Sequence, residues 1–523
     1  MTTKNQKRIT CFFLILLLCS LNAIAQNTIK RTLITNITII SADSQNVHSN
    51  IGYVLINNNK IKYVGEKKPV IIDNYIEIDG TGKFITPGLM DSHVHLANTA
   101  GFNAQLKNKY PELVEAYFEQ LPKSYLYYGF TTLIDVNNYA PHIISKINKS
   151  ELHPNIYTCG NQVQVMDDFM MEMEEYSQET RYQTQFLYDK YNKHVVFPDS
   201  INLDNHTPKA IISEIKNQNG VGVKIAYEDE ASGLKVSWTK PSKGVLSDLV
   251  IEANSNNLPV LVHAPSLEGH QIALKASVNI FAHGLWNWTD NFEQEFNNLE
   301  LSTKHKEVLK EIANKQLGYQ LTFRAITGEE DLINNNFLSD NNLEHVYPKA
   351  YLNILKSSEG DWGRNKILGR ADFLKRTNPS FYNAMKGNHI NDENMWPDLY
   401  NLYKSRLNTV AKFLEEHNAN FILGSDTVAM NMVTNPPGYN SFLEMKHMFE
   451  AGISLETIFK AATFNNAKAF HLESMYGKIE IGNTANMLIL NSNPLETIEA
   501  YNDIEKVIIN GKVIDRKELS AMN

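Results

Sequence analysis

Cysteine is scarce in this sequence, with three residues among 523. Cys11 and Cys19 lie in an N-terminal segment that we expect to be cleaved, which would leave Cys159 alone and exclude an intramolecular disulfide. Cys159 ends a β-forming stretch that begins at Ile156, so a small buried side chain is a better interpretation than a catalytic thiol. The fold must therefore depend on its hydrophobic core.

Positive charge is also limited, because 49 lysines and arginines stand against 58 aspartates and glutamates and leave a net charge of −9. A mildly acidic surface argues against nucleic acid or an anionic membrane as the main partner. With 43% hydrophobic and 20% charged residues, the composition is that of a globular protein. We expect a small-molecule substrate as the partner, and homo-oligomerisation is left open.

A run long enough to span a membrane is missing at the N-terminus, since the apolar stretch 11–21 falls short of the ~20 residues required. A basic start within residues 4–8 and the sequence Ala23-Ile24-Ala25 flank this stretch. The pattern predicts a signal peptide over residues 1–25, cut after Ala25, and a periplasmic or secreted protein without stable membrane insertion after cleavage. An uncleaved anchor and lipidation at Cys19 are the weaker alternatives.

β-Forming residues cluster at both ends of the chain, with turn signals such as Asp79-Gly80 and Asn510-Gly511 between the clusters. The N-terminal clusters predict a small antiparallel unit, and the C-terminal clusters have the same character. We expect residues 26–85 and 476–523 to form one small β-sandwich together. The predicted strands are 32–40, 51–56, 60–65, 71–78, 485–490, 504–509 and 512–514.

Between these ends, short apolar runs alternate with amphipathic segments, which is typical of a parallel sheet with both faces buried. Residues 398–417 show the helical pattern, with apolar side chains on one stripe. The alternation predicts an α/β fold over residues 86–475, larger than the ~250 residues of a bare (β/α)8 barrel. The predicted strands are 131–136, 155–158, 221–226, 259–263, 278–283, 318–323 and 421–426.

Two stretches, about 160–205 and about 326–397, are too long for simple loops. Long insertions in a barrel commonly cover or line the active site, and a peripheral elaboration or dimer contact is an equal alternative. We expect the second stretch to lie over the barrel mouth, because it follows a strand end and carries Trp362 and Arg364.

The segment from Ile85 to His95, ITPGLMDSHVH, carries the strongest functional signal. Residues two apart on a strand face the same side, so His93 and His95 can present both imidazoles to one metal ion. An isolated His-x-His is weak evidence, but further residues suited to a metal site end other apolar runs, where barrel enzymes keep their chemistry. These residues are Lys224, His263, His283 and Asp426.

This ordered set resembles the amidohydrolase superfamily in its binuclear metal subtype. The resemblance extends to Gly477–Gly482, which is similar to the family's return into its small sandwich. Residues 461–463 and 466–467, with sequences AAT and NA, resemble its last barrel helix. The resemblance implies a (β/α)8 TIM barrel with a small β-sandwich formed from both chain ends.

The resemblance also implies a ligand set for two divalent metal ions. Lys224 would bridge both ions as a carbamate, since a lysine in an apolar strand is costly to bury as an ammonium. The other ligands would be His93, His95 and Asp426 for the more buried ion, and His263 and His283 for the second.

Two divalent ions ~3.5–4 Å apart lower the pKa of a shared water and polarise a substrate carbonyl. The expected reaction is attack by a metal-bridging hydroxide, with Asp426 accepting the proton and passing it to the leaving group. Lys224 would be the second catalytic residue, as the carbamate between the ions. Nitrogen and oxygen ligands suit zinc first, with manganese, cobalt or iron as alternatives.

Within the superfamily, the chain is most similar to the imidazolonepropionase-like and Xaa-Pro dipeptidase-like branch. That branch shares Gly129-Phe130-Thr131-Thr132 and the spacing from His263-Ala264 to His283-Gly284. The chain departs from such dipeptidases after Lys224, where Tyr227-Glu228-Asp229-Glu230 replaces a Gly-rich turn. This departure puts a dipeptide substrate in doubt and leaves the metal site untouched.

These features predict a hydrolase of a C–N bond in a small substrate such as a dipeptide, an N-acyl amino acid or a cyclic amide. Tyr227 and Arg324 are candidate substrate-binding residues, because they can polarise a carbonyl or pair with a carboxylate. Two alternatives stay open. One is a non-catalytic ligand-binding protein on the same scaffold, and the other is a lactone or phosphotriester hydrolase with the same metals and a different pocket.

Overall fold

The computed structural model describes most of the chain, and within that part no helix is long and apolar enough to cross a membrane. The predicted signal peptide, residues 1–25, lies outside the described residues. The described ranges are 31–72, 74–173, 181–228, 238–288, 298–334, 336–377, 379–386 and 392–523.

The strands fall into a group from the chain ends and a group from the middle. The chain ends form β1 (Arg31–Ala42), β2 (Val47–Asn57), β3 (Lys60–Gly65), β4 (Ile76–Asp79), β5 (Phe84–Pro87), β13 (Met487–Leu490), β14 (Ile504–Ile509) and β15 (Lys512–Asp515). The middle forms β6 (Leu89–Val94), β7 (Phe130–Asp135), β8 (Asn155–Thr158), β9 (Val223–Ala226), β10 (Val260–His263), β11 (Ile280–Ala282) and β12 (Gly318–Gln320).

Helices separate the strands of the middle group. The first half of the chain has α1 (Ala104–Lys109), α2 (Pro111–Tyr127), α3 (Pro141–Ile147), α4 (Phe169–Met173), α5 (Pro208–Asn217) and α6 (Lys243–Ser255). The second half has α7 (Leu267–Ala276), α8 (Thr303–Asn314), α9 (Phe323–Asn334), α10 (Lys349–Leu355), α11 (Trp362–Thr377), α12 (Pro379–Lys386), α13 (Asp392–Glu416), α14 (Tyr439–Glu450), α15 (Leu455–Lys460) and α16 (Asn466–Ala469), with a π-helical turn at Ala461–Asn465.

Both chain ends contribute to one sheet with the strand order β15-β14-β13-β5-β1-β2-β3, in which β4 also pairs with β1. β13 runs antiparallel to β5, with Leu488 opposite Thr86, and joins the C-terminal strands to the N-terminal ones. The two ends of the chain therefore share one sheet.

The expectation of an antiparallel N-terminal unit is wrong for β4, which runs parallel to β1, and β5, which was not among the predicted strands, also runs parallel to β1. β4 lies beside Thr32 to Thr35, and β5 lies beside Thr38 and Ile39, so they use successive parts of one edge. The ladder between β1 and β2 is irregular between these parts, where Asn36 has a φ of 54°. Asparagine tolerates this left-handed conformation, which permits the kink.

The central strands of the end sheet are buried on both faces. Ile39 and Met487 belong to a core within the sheet unit itself, whereas their sequence neighbours Ile40 and Leu488 belong to the large core of the barrel. This follows from the alternation of side chains along a strand. The sheet is thus fastened to the barrel by apolar contacts. The core of the sheet unit consists of Ile34, Ile37, Ile39, Val54, Ile56, Ile61, Ile85, Ile479, Ala485, Met487, Ile489 and Ile508.

The seven strands of the middle group are parallel and form two hydrogen-bonded sets, β6-β7-β8 and β9-β10-β11-β12. The sets meet at one seam, where Val221 N–H donates to Thr158 O at 2.8 Å. At the same seam, Val163 N–H donates to Lys224 O at 2.7 Å.

Residues 421–427 provide the eighth stave of the barrel, between β12 and β6. Ile422 N–H donates to Tyr319 O in β12 at 3.1 Å, and Leu423 O accepts from the backbone of β6 at 3.0 Å. The predicted strand over 421–426 is irregular, because Ser425 N–H donates to the Asp91 carboxylate instead of a neighbouring strand. These bonds complete a (β/α)8 arrangement, so the fold class is confirmed.

The second insertion, about 326–397, is largely helical where it is described. It packs on the loop that follows β6, where Trp362 Nε1–H donates to Gly101 O at 2.8 Å. Trp362 also lines a pocket with Met430 and Val433, which follow the eighth stave. The insertion therefore lies at the carboxyl end of the barrel, whereas Arg364 donates to Ile333 O within the insertion itself.

Two glycines of the quoted motifs hold strands at close approach. A Cβ on Gly88, just before β6, would lie 2.2 Å from Thr131 Oγ1 in β7. Gly129 has a φ of 81°, and its Cβ would lie 2.6 Å from Leu488 Cδ1 in β13. Only glycine accommodates both close approaches without displacing the neighbouring strand.

We expect Gly88→Ala to lower the unfolding free energy by about 1–3 kcal/mol, because the added methyl group overpacks the contact with Thr131. Denaturant unfolding followed by circular dichroism measures this change. Gly369→Ala is the matched control, since Gly369 is exposed in α11 and its Cβ would meet nothing within 4 Å. Equal unfolding midpoints for Gly88→Ala and the wild type would contradict the packing argument.

Candidate metal centre

Four histidines form a row at the carboxyl ends of the barrel strands. The ring centroids are 5.6 Å apart for His95 and His93, 5.0 Å for His93 and His283, and 4.5 Å for His283 and His263. Asp426 lies at one end of the row, with Oδ1 3.0 Å from His95 Nε2 and 3.3 Å from His93 Nε2. The structure thus brings five of the sequence-predicted ligands together.

Hydrogen bonds fix the tautomer of His93. Its Nδ1 lies 3.0 Å from Gln320 Oε1, which only accepts, so Nδ1 carries the proton. The orientation of Gln320 is set in turn by its Nε2, which donates to Ser92 Oγ at 2.8 Å. The Nε2 lone pair of His93 is therefore directed towards Asp426 and is available to a metal ion.

His283 is held in the same way. Thr322 Oγ1 donates to Leu321 O at 2.8 Å and accepts from His283 Nδ1 at 2.8 Å. Nδ1 consequently carries the proton, and Nε2 keeps its lone pair. Outer partners of this kind orient metal-binding histidines.

His263 uses its other nitrogen for this purpose. Its Nε2 lies 2.8 Å from Glu228 Oε2, so the carboxylate accepts and Nδ1 keeps the lone pair. Sequence reasoning missed Glu228 as a site residue. The sequence did contain a signal for this role. Glu228 is an acidic residue two positions after β9, in the segment where this chain lacks the Gly-rich turn of the dipeptidases.

The donor set fits a divalent cation. One donor atom each of His93, His283 and Asp426 lies within 4.8 Å of the others, and these residues form a candidate metal site. Two neutral imidazoles and a carboxylate, each held by the fold, are a common zinc donor set. His95 and His263 extend the row on either side, so the described residues also have donors for a second ion.

Burial keeps the inner imidazoles in the neutral form that binds metal. It lowers the pKa of His93 to about 4, and burial together with the charge of His263 lowers the pKa of His283 well below its usual value. Burial alone would raise the pKa of Asp426, but the adjacent imidazoles outweigh it and hold the pKa of that carboxyl well below its usual range. At neutral pH the centre therefore presents lone pairs and an anion.

Lys224 lies within this centre, 2% exposed, with Nζ 3.4 Å from His93 Nε2. Burial lowers the pKa of its ammonium to about 8, although Asp426 opposes the shift. A lysine with so low a pKa has an appreciable neutral fraction near physiological pH. The position that the sequence predicts for a carbamate is therefore buried, close to the imidazoles and chemically suited to that modification.

Asp91 connects the two staves that carry the inner ligands. Its Oδ1 accepts from the backbone N–H groups of His93 and Ser425, both at 3.1 Å. Its Oδ2 accepts from Ser425 Oγ at 2.5 Å and from Ser441 Oγ at 2.6 Å. Burial raises the pKa of Asp91 to about 6, with the serine hydrogen bonds opposing the shift. The quoted motif contained this residue, but sequence reasoning gave it no role.

The two predicted substrate residues have other partners in the structure. Tyr227 is 4% exposed, and its hydroxyl donates to Glu268 Oε1 at 2.8 Å. Arg324 is 1% exposed and donates to Asn440, Thr327, Asp331 and the carbonyl of Thr434. The expectation that Arg324 faces the barrel mouth is therefore corrected, because its guanidinium joins α9 to the segment that precedes α14.

A (β/α)8 barrel with histidines and an aspartate clustered at its carboxyl end is an arrangement that metal-dependent barrel hydrolases use. Residues 377–514 match the model of the amidohydrolase family. The match covers the C-terminal part of the chain, which is therefore similar in sequence to the amidohydrolase family. A comparison with curated protein sequences finds no match.

The fold is similar to that of several solved structures. A Xaa-Pro dipeptidase with bound methionine has a TM-score of 0.60 at 18% identity, covering 93% of this chain and 100% of that one. The ochratoxinase of A. niger has a TM-score of 0.61 at 17% identity, covering 93% and 96%. Molinate hydrolase has a TM-score of 0.59 at 18% identity, covering 94% and 96%. At these identities the likeness shows the fold alone.

We expect Asp91→Ala to lower the unfolding free energy of the metal-free protein by about 2–4 kcal/mol, because two backbone N–H groups and two hydroxyls lose their buried acceptor. Chemical denaturation measures the change. Asp199→Ala, at an exposed position, is the control for removing one aspartate. An unchanged midpoint for Asp91→Ala would show that the carboxylate does not hold the two staves together.

Proposed function

We propose that this chain is an exported, metal-dependent hydrolase of C–N bonds in small substrates such as dipeptides, N-acyl amino acids or cyclic amides. The observation that carries the proposal is the row of four histidines that ends at Asp426, with Lys224 beside it. Burying this many polar side chains lowers the stability of the fold unless they bind a common ligand such as a metal ion. Their position at the carboxyl end of a barrel is where such enzymes keep their active sites.

The names of the similar structures support the reaction class. They include a Xaa-Pro dipeptidase, a molinate hydrolase and a phenylurea hydrolase B. The family match over residues 377–514 covers the eighth stave and therefore Asp426. We propose on this basis that the bond cleaved is a C–N bond, and we leave the particular substrate to experiment.

The residues have separate tasks in the proposed reaction. Bound divalent ions, zinc first, would acidify a water molecule and polarise the substrate carbonyl. Asp426 accepts the proton of the attacking water and donates it to the leaving nitrogen. His93 and His283, whose Nδ1 protons are held by Gln320 and Thr322, keep their Nε2 lone pairs fixed in the centre.

The basic start, apolar run and Ala-x-Ala sequence within the first 25 residues support export to the periplasm or the medium. An exported protein is in contact with the small molecules of the periplasm or the medium. The single cysteine beyond this segment, Cys159, is buried and free, which is compatible with an oxidising compartment.

We expect chelation to abolish turnover of an amide and dipeptide panel, and added zinc to restore it. His93→Ala and Asp426→Asn should each reduce kcat/KM by ~100-fold or more, because an inner ligand or the proton acceptor is lost. Turnover and metal content, by mass spectrometry of the metal, are the measurements. His194→Ala at an exposed position is the control.

Bound metal with no turnover of any amide, peptide or ester would favour a ligand-binding protein on the same scaffold. Turnover of lactones or phosphotriesters without any amide would contradict the C–N assignment. Near-normal rates for Asp426→Asn would reject its role as proton acceptor.

We also propose that Lys224 acts as a carbamate, in which the neutral amine adds CO2 and releases one proton. Lys224→Ala should then lose metal and activity together, and acetate or propionate with added metal should partly restore both. Lys224→Arg should not be rescued, because a permanent cation fills the position. Since the pKa is lowered to about 8, carbamate formation in the metal-free wild type at a constant concentration of dissolved CO2 should become faster as the pH rises towards that value.

Normal metal content and rates in Lys224→Ala without added acid would contradict the carbamate. The acid-rescue experiment distinguishes a missing anion from general damage, since a misfolded variant does not recover with a small carboxylate. Thermal unfolding of each variant without metal provides the folding control.

A further inference from the structure

Glu228 is a buried carboxylate in the candidate metal centre, and one of its two oxygens lacks a hydrogen-bond partner among the described residues. Its side chain is 3% exposed, and Oε2 accepts from His263 Nε2 at 2.8 Å. Oε1 has no hydrogen-bond partner among the residues that the structure describes. The contact with His263 fixes the carboxylate, so the position of Oε1 is fixed as well.

A buried carboxylate oxygen of this kind requires a partner of opposite charge or a hydrogen-bond donor. Buried carboxylates are destabilising unless they are paired and hydrogen-bonded. Two lysines of the described chain on this side have other contacts: Lys240 Nζ lies 3.4 Å from Glu268 Oε1, and Lys224 Nζ lies 3.4 Å from His93 Nε2. The partner of Oε1 therefore comes from outside the described protein.

A metal ion is the less suitable partner. The donor atoms that lie close to one another belong to His93, His283 and Asp426, and this described cluster does not include Glu228. The bond from His263 Nε2 to Glu228 leaves His263 Nδ1 for metal, which makes Glu228 an outer partner of that histidine. Its second oxygen remains free to interact with the substrate.

The surroundings of Glu228 suit an organic cation. The ring of Phe169 stacks on His263 with centroids 5.7 Å apart, and Trp238 meets Phe169 edge-on at 4.9 Å. Aromatic faces attract ammonium groups, and a carboxylate binds them through charge-assisted hydrogen bonds. The same negative charge repels a substrate carboxylate from this side of the centre.

We propose that Glu228 determines specificity by binding a protonated amine of the substrate through Oε1. The inference rests on the proposed function and narrows it. Among dipeptides, N-acyl amino acids and cyclic amides, the preferred class carries a free amino group next to the scissile amide. Acetylation of that amine removes both the charge and the interaction.

The test compares a dipeptide with its N-acetyl derivative, using the metal-replete wild type and Glu228→Gln. The substitution keeps the size of the side chain and an oxygen to accept from His263, and it removes the charge. We expect the wild type to favour the free amine by about 10- to 100-fold in kcat/KM, mainly through KM. In Glu228→Gln the ratio of kcat/KM between the free-amine and N-acetyl substrates should fall to about 1, because any effect of the altered contact with His263 changes both rates by the same factor.

A binding measurement makes the test independent of turnover. A ketomethylene dipeptide isostere has no hydrolysable amide, so calorimetry gives its dissociation constant in free-amine and N-acetyl forms. We expect the same preference and the same loss in Glu228→Gln. Glu311→Gln controls for the removal of one negative charge, since Glu311 is 51% exposed and pairs with Lys315 at the end of α8.

The outcomes separate this inference from the proposed function. Binding that depends on the amine, without hydrolysis of any peptide, would support Glu228 and contradict the reaction. Equal binding and hydrolysis of both forms by the wild type would overturn the inference without any variant. Loss of metal in Glu228→Gln, with equal loss for both ligands, would also overturn it and make Glu228 a positioning residue for His263.

Discussion

The hydrogen bonds of the Asp91 carboxylate are the interaction on which the metal centre depends. One carboxylate binds the backbone of β6 at His93 and the backbone of the eighth stave at Ser425. These are the two staves that supply the inner histidine and Asp426. Because the eighth stave lacks a regular ladder at this end, a side chain provides the bond that a neighbouring strand would otherwise provide. The distance between His93 and Asp426 is thereby set by the protein before any ion binds.

The same principle orients the imidazoles. Gln320, Thr322 and Glu228 each occupy one nitrogen of a histidine and leave the other nitrogen with its lone pair. Burial then favours neutral rings, so the protonation state and the direction of the donors are determined together. A centre prepared in this way loses little side-chain freedom when a cation arrives, which favours tight binding.

The sequence predicted the barrel, the joined chain ends and the row of histidines, because each depends on local patterns of apolar runs and on residues at strand ends. It did not predict the parallel pairings of β4 and β5, which depend on the kink at Asn36. The prediction that Arg324 faces the barrel mouth was wrong. The sequence places a cation at a strand end, but it does not show whether the guanidinium faces solvent or binds Asn440 and Thr434, as it does here. Glu228 was missed because only the fold brings it to His263.

The pairing of β5 with β13 has a consequence for how the chain folds. Strands from opposite ends of the sequence must meet before the end sheet is complete, so its closure has a high contact order and a large loop entropy. Until β13 to β15 are available, β5 lacks its second partner strand, and the apolar face that these strands cover is exposed. The N-terminal part of the end sheet is therefore unable to reach its final state before the C-terminal strands are available.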